Sequence, residues 1–121
     1  NSLLNELNRA QKVQLELIAT ERNVKEGEVL WKIGDKPEFG FLIQKGDFEV
    51  VRQSSHGEEE ECSSGTFIGD FPAMIRGTNC TCSVKALSKG IIYSISKKDI
   101  LHLLEENPKL LVIFSTLQLF E

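Results

Sequence analysis

The spacing of hydrophobic residues changes near residue 20. Before that point, apolar residues recur every three or four positions, which predicts an amphipathic helix over residues 2–19. After it, apolar runs of strand length alternate with glycine-containing turns, as at residues 29–31 between Gly27 and Gly34. Short strands separated by regular turn signals are typical of an all-β barrel or sandwich. We therefore predict a β region over residues 20–95.

Helical spacing returns after the predicted strands. Ser96 and Asp99 form a weak capping box, which predicts a helix start at residue 97, and Asn107-Pro108 interrupts that helix. A second, strongly apolar helix is predicted beyond Pro108, so that two C-terminal helices occupy residues 97–120. The apolar face of the second helix consists of Leu110, Ile113, Phe114 and Leu117.

An apolar helix face of this size requires a covering surface. We expect either a further helix of the same protein or a protein partner to cover it, and a homodimer through this face is the alternative. The chain is therefore expected to be a fragment of a larger protein.

Composition indicates one ordinary globular domain. The chain has 121 residues, of which 40% are hydrophobic and 26% are charged, and this length and mix are common for single domains. Its 14 basic and 18 acidic residues give a net charge of −4, which disfavours nucleic acid and anionic membranes as partners. The longest apolar stretch, residues 110–120, is too short to span a bilayer, so no direct membrane insertion is expected.

Catalytic and metal-binding motifs are weak or missing. Three cysteines do not make a disulfide framework and favour a reducing, cytoplasmic location, including the cytosolic part of a membrane protein. Cys80 and Cys82 supply too few ligands for a structural zinc ion. His56 stands in a Gly/Ser loop, and His102 precedes Glu106 by one helical turn, the spacing of a surface pair. We therefore expect no enzyme activity, no metal and no cofactor.

Residues 65–86 carry the strongest indication of a ligand site. The sequence from Phe67 to Ile75 predicts a strand, a glycine turn at Gly69-Asp70 and a short helix with Pro72 in its first turn. A helix start presents free backbone N–H groups to an anion such as a phosphate. The Asp70 carboxylate would repel a phosphate, but it would accept hydrogen bonds from a ribose hydroxyl.

A framework of glycines and apolar residues runs through the predicted β region. Its positions are Gly27-Glu28, Gly34-Asp35, Phe41-Leu42-Ile43 with Gly46 and Val50, Gly65-x-Phe67-Ile68-Gly69-Asp70, and Thr81 to Leu87. Together with the order of the elements, this framework resembles the cyclic nucleotide-binding domain, a module of cAMP- and cGMP-regulated channels, kinase regulatory subunits and transcription regulators. The resemblance implies a mainly β fold with flanking helices. In that fold, an eight-stranded antiparallel jelly-roll β-barrel carries an N-terminal helix and two C-terminal helices.

The same resemblance implies a ligand held between the barrel and the short helix after Gly69, with the terminal helices moving as a lid. The predicted ligand cassette, which runs from Gly69 to Thr81, departs from the family's pattern in three places. Gly69-Asp70 stands where the family has Gly-Glu, whose glutamate holds the ribose 2′-hydroxyl. Pro72 lacks an N–H at the helix start, where Ala73 takes over if the loop is one residue longer. Cys80 occupies the position of the family's phosphate-binding arginine, and a thiol does not replace a bidentate guanidinium.

Two functions follow from the resemblance. The first is a regulatory ligand-sensing domain that binds cAMP or cGMP and relays binding through movement of the C-terminal helices. Its predicted ligand-binding residues are Gly69, Asp70, Phe71, Ala73, Arg76, Cys80, Thr81 and Val84. Among them Thr81 contacts the phosphate, Val84 and the Phe67/Phe71 region line the purine side, and Arg76 reaches the phosphate from a rearranged loop. The alternative is a degenerate homology domain, which does not bind nucleotide and serves as a protein-interaction or regulatory scaffold.

Overall fold

The computed structural model describes residues 8–52 and 59–108. This part contains three helices, α1 (Arg9–Ile18), α2 (Phe71–Arg76) and α3 (Lys97–Glu106). Its strands are β1 (Thr20–Val24), β2 (Val29–Trp31), β3 (Phe39–Lys45), β4 (Phe48–Arg52), β5 (Glu59–Cys62), β6 (Phe67–Ile68), β7 (Cys82–Ala86) and β8 (Gly90–Ser96). The predicted second C-terminal helix, its apolar face and His56 lie outside the described residues.

The strands form two antiparallel sheets of four, in the orders β1-β8-β3-β6 and β2-β7-β4-β5. This confirms the mainly β, antiparallel fold. The predicted barrel is not closed, because no ladder among the described residues joins one sheet to the other. The edge strand β6 is only two residues long and is followed directly by Gly69 and α2, so it offers little backbone for pairing with the other sheet. The eight strands therefore face each other as two open sheets.

The N-terminal helix begins later than its hydrophobic spacing predicts. Asn8 has extended backbone angles, φ −78° and ψ 175°, and caps α1. Its side chain accepts a hydrogen bond from the Gln11 N–H at 2.8 Å, and the Gln11 side chain accepts one from the Asn8 N–H at 2.9 Å. The prediction of one helix running from residue 2 to residue 19 is wrong at this point, because this reciprocal cap fixes a helix start.

The predicted starts of the other two helices are confirmed. Ser96 caps α3 by accepting a hydrogen bond from the Asp99 N–H at 3.2 Å, and α3 ends before Pro108. The short helix α2 follows Gly69-Asp70 and has Pro72 in its first turn. None of the helices in the described part of the chain has the length and apolar character needed to cross a membrane.

Two groups of buried side chains make up the core. The inter-sheet cluster consists of Val24, Phe41, Ile43, Phe48, Val50, Cys62, Ile68, Cys82, Val84, Ala86 and Ile92. The helix-side cluster consists of Leu15, Leu42, Phe67, Phe71, Met74, Ile95, Ile100 and Leu103. Because the helix-side cluster takes side chains from all three helices, α2 does not move without disturbing the packing of α1 and α3.

Gly40 and Gly69 permit close packing beside the helix-side cluster. A Cβ atom on Gly40 would lie 2.7 Å from the Phe67 ring and 2.8 Å from Ile100 Cδ1. A Cβ atom on Gly69 would lie 2.9 Å from the Phe71 ring. Both distances are shorter than van der Waals contact, so a side chain at either position would push α2 or α3 away from the sheet.

Candidate functional site

Asp70 is the buried carboxylate around which the ligand cassette is organised, with 4% of its surface exposed. One oxygen, Oδ1, accepts a hydrogen bond from the Ala73 N–H at 3.2 Å and so caps α2. The other oxygen, Oδ2, accepts from the Thr81 N–H at 2.7 Å and from the Thr81 hydroxyl at 3.1 Å. This carboxylate therefore ties the start of α2 to the segment that leads into β7.

Cys80 is held against the loop between β2 and β3. Its N–H donates to the Asp35 carbonyl at 2.8 Å, and its own carbonyl accepts from the Gly34 N–H at 2.8 Å. These backbone bonds bring the Gly34-Asp35 turn, which is distant in sequence, next to Asp70.

A pocket of about 440 Å³ opens between this turn, β3 and the cassette. Its lining residues are Arg22, Leu30, Trp31, Asp35, Lys36, Pro37, Glu38, Phe39, Phe41, Asp70 and Cys80. Trp31 stacks on Phe41 with ring centroids 5.8 Å apart and an interplanar angle of 13°, and Phe39 lies 6.3 Å from Phe41. The pocket is thus lined by three aromatic rings, of which Phe39 is the most exposed, and by the polar side chains of Asp70 and Cys80. Pockets of this volume and character are usual small-molecule sites.

More carboxylates than cations line the pocket. Three carboxylates, on Asp35, Glu38 and Asp70, face two cations, on Arg22 and Lys36. Arg22 is already ion-paired with Glu28. The Lys25 N–H and the Arg22 guanidinium both hydrogen-bond to Glu28 and hold the pKa of that carboxyl below its ordinary value.

Burial keeps the two thiols of the cassette protonated. Burial, followed by the charges of Asp70 and Asp35, raises the pKa of Cys80 to about 11. Burial and the charge of Asp70 raise the pKa of Cys82 to about 12, although the nearby Trp31 indole acts in the opposite direction. The indole nitrogen of Trp31 is itself buried and has no oxygen or nitrogen acceptor in the described part of the chain. Cys80 is therefore a neutral group at physiological pH.

Some of the predicted site residues come together in the structure. Asp70, Ala73 and Thr81 are joined by hydrogen bonds, Gly69 precedes them, and Cys80 lines the same pocket. In this arrangement the Ala73 and Thr81 donors that were predicted to meet a phosphate are bonded to Asp70 instead.

The other predicted site residues lie elsewhere. Phe71 and Phe67 pack edge to face in the helix-side cluster, with centroids 5.2 Å apart, and Val84 is buried in the inter-sheet cluster. Arg76 is exposed at the last position of α2 and does not line the pocket. The purine-side assignment of Phe67, Phe71 and Val84 therefore has no support from the pocket, whose aromatic surface comes from other residues.

The aromatic residues that line the pocket were not among the site residues predicted from the sequence. Trp31, Phe39 and Phe41 belong to β2 and β3, far from the cassette in sequence. One signal was present, because Phe39 and Phe41 are two residues apart and so face the same side of a strand. Phe39 remains 46% exposed, which is unusual for a ring on a core strand.

The remaining reactive groups do not form a further site in residues 8–52 and 59–108. No group of three His, Cys, Asp or Glu side chains in this part is arranged to hold a metal ion. His102 Nε2 lies 2.5 Å from Glu106 Oε1 on the exposed face of α3, as the four-residue spacing predicted.

Comparison with known proteins gives a family and a fold. The model of the cyclic nucleotide-binding domain family matches residues 21–107. No curated protein matches the chain. Among solved structures, the regulatory subunit of a cAMP-independent protein kinase A from Trypanosoma brucei is 19% identical, with a TM-score of 0.77 over 93% of this chain and 42% of its own. The Thermus thermophilus catabolite activator protein is 17% identical, with a TM-score of 0.77 over 96% of this chain and 55% of its own.

A third structure was solved with a ligand. It is the regulatory subunit of a cAMP-independent protein kinase A from Trypanosoma cruzi bound to guanosine, and it is 22% identical. Its TM-score is 0.72, over 84% of this chain and 37% of its own. The chain thus spans about half or less of the length of these three proteins, and the likeness at such identities shows the fold alone.

Proposed function

This chain belongs to the cyclic nucleotide-binding domain family, and we propose that it is a regulatory domain that senses a ligand of the purine nucleoside type. That class includes cAMP and cGMP as well as the nucleosides themselves. The ligand binds in the pocket between Trp31, Phe39 and the Asp70 cassette. This proposal rests on one observation, the open pocket of about 440 Å³ with aromatic walls and a buried carboxylate.

The pocket has the surfaces that a nucleoside needs. Aromatic rings stack well on a flat heterocyclic base. At the other end, Asp70 Oδ1 accepts one hydrogen bond from Ala73 in the structure, and a carboxylate oxygen has room for a second donor such as a sugar hydroxyl. The guanosine bound to the Trypanosoma cruzi regulatory subunit is a ligand of this class.

The helix-side cluster provides a route for the signal. Phe71 and Met74 of α2 follow Asp70 directly and pack in one cluster with Ile100 and Leu103 of α3. A ligand that shifts the Asp70 cassette by a fraction of an ångström must repack this cluster, because a dense core does not deform continuously. We propose that α3 carries the response toward the segment that follows it, which is the predicted C-terminal helix relay.

We place the domain in the cytoplasm. Its three cysteines are buried, and Cys80 and Cys82 are free thiols, a state that persists in a reducing compartment.

Isothermal titration calorimetry with adenosine, guanosine, cAMP and cGMP tests this function. We expect at least one of the four ligands to bind the wild-type chain with measurable heat at millimolar concentration or below. Phe39→Ala should weaken that binding by about tenfold, since a half-exposed ring of the pocket wall is lost. Ile75→Ala is the matched control, because Ile75 is similarly exposed, at 53%, and does not line the pocket. The absence of heat with all four ligands would contradict the proposal.

A scaffold that does not bind nucleotide is the second candidate. Two observations favour it, the thiol of Cys80 at the family's arginine position and the hydrogen bonds that Asp70 already accepts from Ala73 and Thr81. Its expected interaction face lies outside the described residues. The same calorimetry separates the two functions, because the scaffold predicts no binding of any of the four ligands.

A further inference from the structure

Building on the proposed function, we propose that Asp70 makes the pocket selective for an uncharged ligand. In this account a nucleoside binds in preference to its cyclic nucleotide. Asp70 is then a specificity-determining residue, because its negative charge repels an anion and its oxygens already accept hydrogen bonds from the donors that an anion would need.

The first support is the hydrogen bonding of Asp70. An anionic ligand beside Ala73 and Thr81 would need their donor groups, namely two backbone N–H groups and one hydroxyl. All three already donate to the Asp70 carboxylate, at 3.2, 2.7 and 3.1 Å. A phosphate would have to break these bonds and leave the buried carboxylate with only the Cys82 thiol, 3.8 Å away, as a hydrogen-bond partner, which is costly. A neutral ligand does not need these three donor groups, so their hydrogen bonds to Asp70 stay in place.

The second support is the balance of charge in the pocket. Asp70 is 4% exposed, so water screens its charge poorly. Of the two cations that line the pocket, Arg22 is ion-paired with Glu28, which leaves Lys36 to balance three carboxylates. A second negative charge placed beside Asp70 is therefore repelled, whereas an uncharged sugar and base are not.

The third support comes from Cys80. This side chain lines the pocket next to Asp70 and supplies no positive charge. The charges of Asp70 and Asp35 add to burial in raising the pKa of this thiol to about 11. At the Cys80 position, an incoming anion therefore meets a neutral thiol and not a cation.

The test compares each nucleoside with its own cyclic nucleotide by calorimetry. For the wild-type chain, we expect guanosine or adenosine to bind at least about tenfold more tightly than cGMP or cAMP. Asp70→Asn removes the charge and keeps a capping side chain. It should reduce the ratio of the cyclic nucleotide Kd to the nucleoside Kd by about tenfold, chiefly because the cyclic nucleotide binds more tightly. Asp47→Asn is the matched control, since it removes one exposed carboxylate in the β3–β4 turn outside the pocket, and its ratio should stay within about twofold of wild type.

Cys80→Lys provides an independent variant if Asp70→Asn does not fold by circular dichroism. It places a cation beside Asp70 without removing the cap, and it should shift the ratio in the same direction. Equal affinities for nucleoside and cyclic nucleotide in the wild-type chain would overturn the inference and leave the proposed function standing. A ratio unchanged in Asp70→Asn, or in Cys80→Lys where that variant replaces it, would also overturn the inference. No binding of any ligand would instead overturn the proposed function, and the inference with it.

Discussion

At position 70, one carboxylate caps α2 and holds the Thr81 segment that leads into β7. The sequence placed Asp70, Ala73 and Cys80 in one region because they are close along the chain and flank a predicted turn and helix. The bonds between Asp70 and Thr81 were not predictable, since they depend on how the chain returns after α2. The purine-side assignment of Phe67, Phe71 and Val84 stays a prediction, and the pocket lining does not include these residues. Hydrophobicity does not distinguish Phe71, which is buried in the core, from Phe39, which lines a pocket.

Replacing Asp70 by alanine should destabilise the domain by about 2–3 kcal/mol. The variant loses the cap of α2 and leaves the Thr81 N–H without its acceptor in a partly buried site. Urea denaturation followed by circular dichroism measures the loss. Asp70→Asn keeps a capping side chain and should lose roughly half as much. An Asp70→Ala variant as stable as wild type would show that these hydrogen bonds do not hold the cassette.

At the scale of elements, turns and caps were more predictable than helix lengths. The glycine turn at Lys45-Gly46-Asp47 lies between β3 and β4, with Gly46 at φ 107°, but it does not form the hairpin that its residues indicate, because β3 and β4 belong to different sheets. Hydrophobic spacing alone does not locate the start of α1, because leucines at residues 3, 4 and 7 have the same spacing as the apolar residues of the helix itself. The reciprocal Asn8–Gln11 cap marks that start at Arg9. The separation into two open sheets also escaped prediction, because strand spacing along a sequence does not specify which strands pair.

Gly90 at the start of β8 offers a test of how closely the elements pack. A Cβ atom there would lie 2.2 Å from the Lys45 carbonyl oxygen, at the bulge between β3 and β8. Gly90→Ala should therefore cost about 2–4 kcal/mol in thermal or urea unfolding. Gly34→Ala is the comparison, because Gly34 has φ +95° and no atom within 4 Å of the added Cβ. It should cost only the backbone strain, about 1–2 kcal/mol. Equal losses in the two variants would argue against the close contact.

For the whole molecule, the two core clusters pack different parts of the fold. The inter-sheet cluster holds the two sheets together, and the helix-side cluster connects α2, which follows Asp70, to α1 and α3. The pocket lies beside both, with Phe41 belonging to the inter-sheet cluster and Asp70 leading into α2. Packing therefore connects Asp70 at the pocket, through α2, to α3.

The central claim, that a nucleoside-type ligand binds between the aromatic wall and Asp70, is tested most directly by amide correlation NMR of the labelled chain during titration with guanosine. The account predicts progressive shifts of the Trp31 indole N–H signal and of the Asp70, Cys80 and Thr81 amides, while the Gly46 amide in the β3–β4 turn stays in place. A spectrum unchanged at millimolar guanosine, or shifts that avoid the pocket residues, would contradict it.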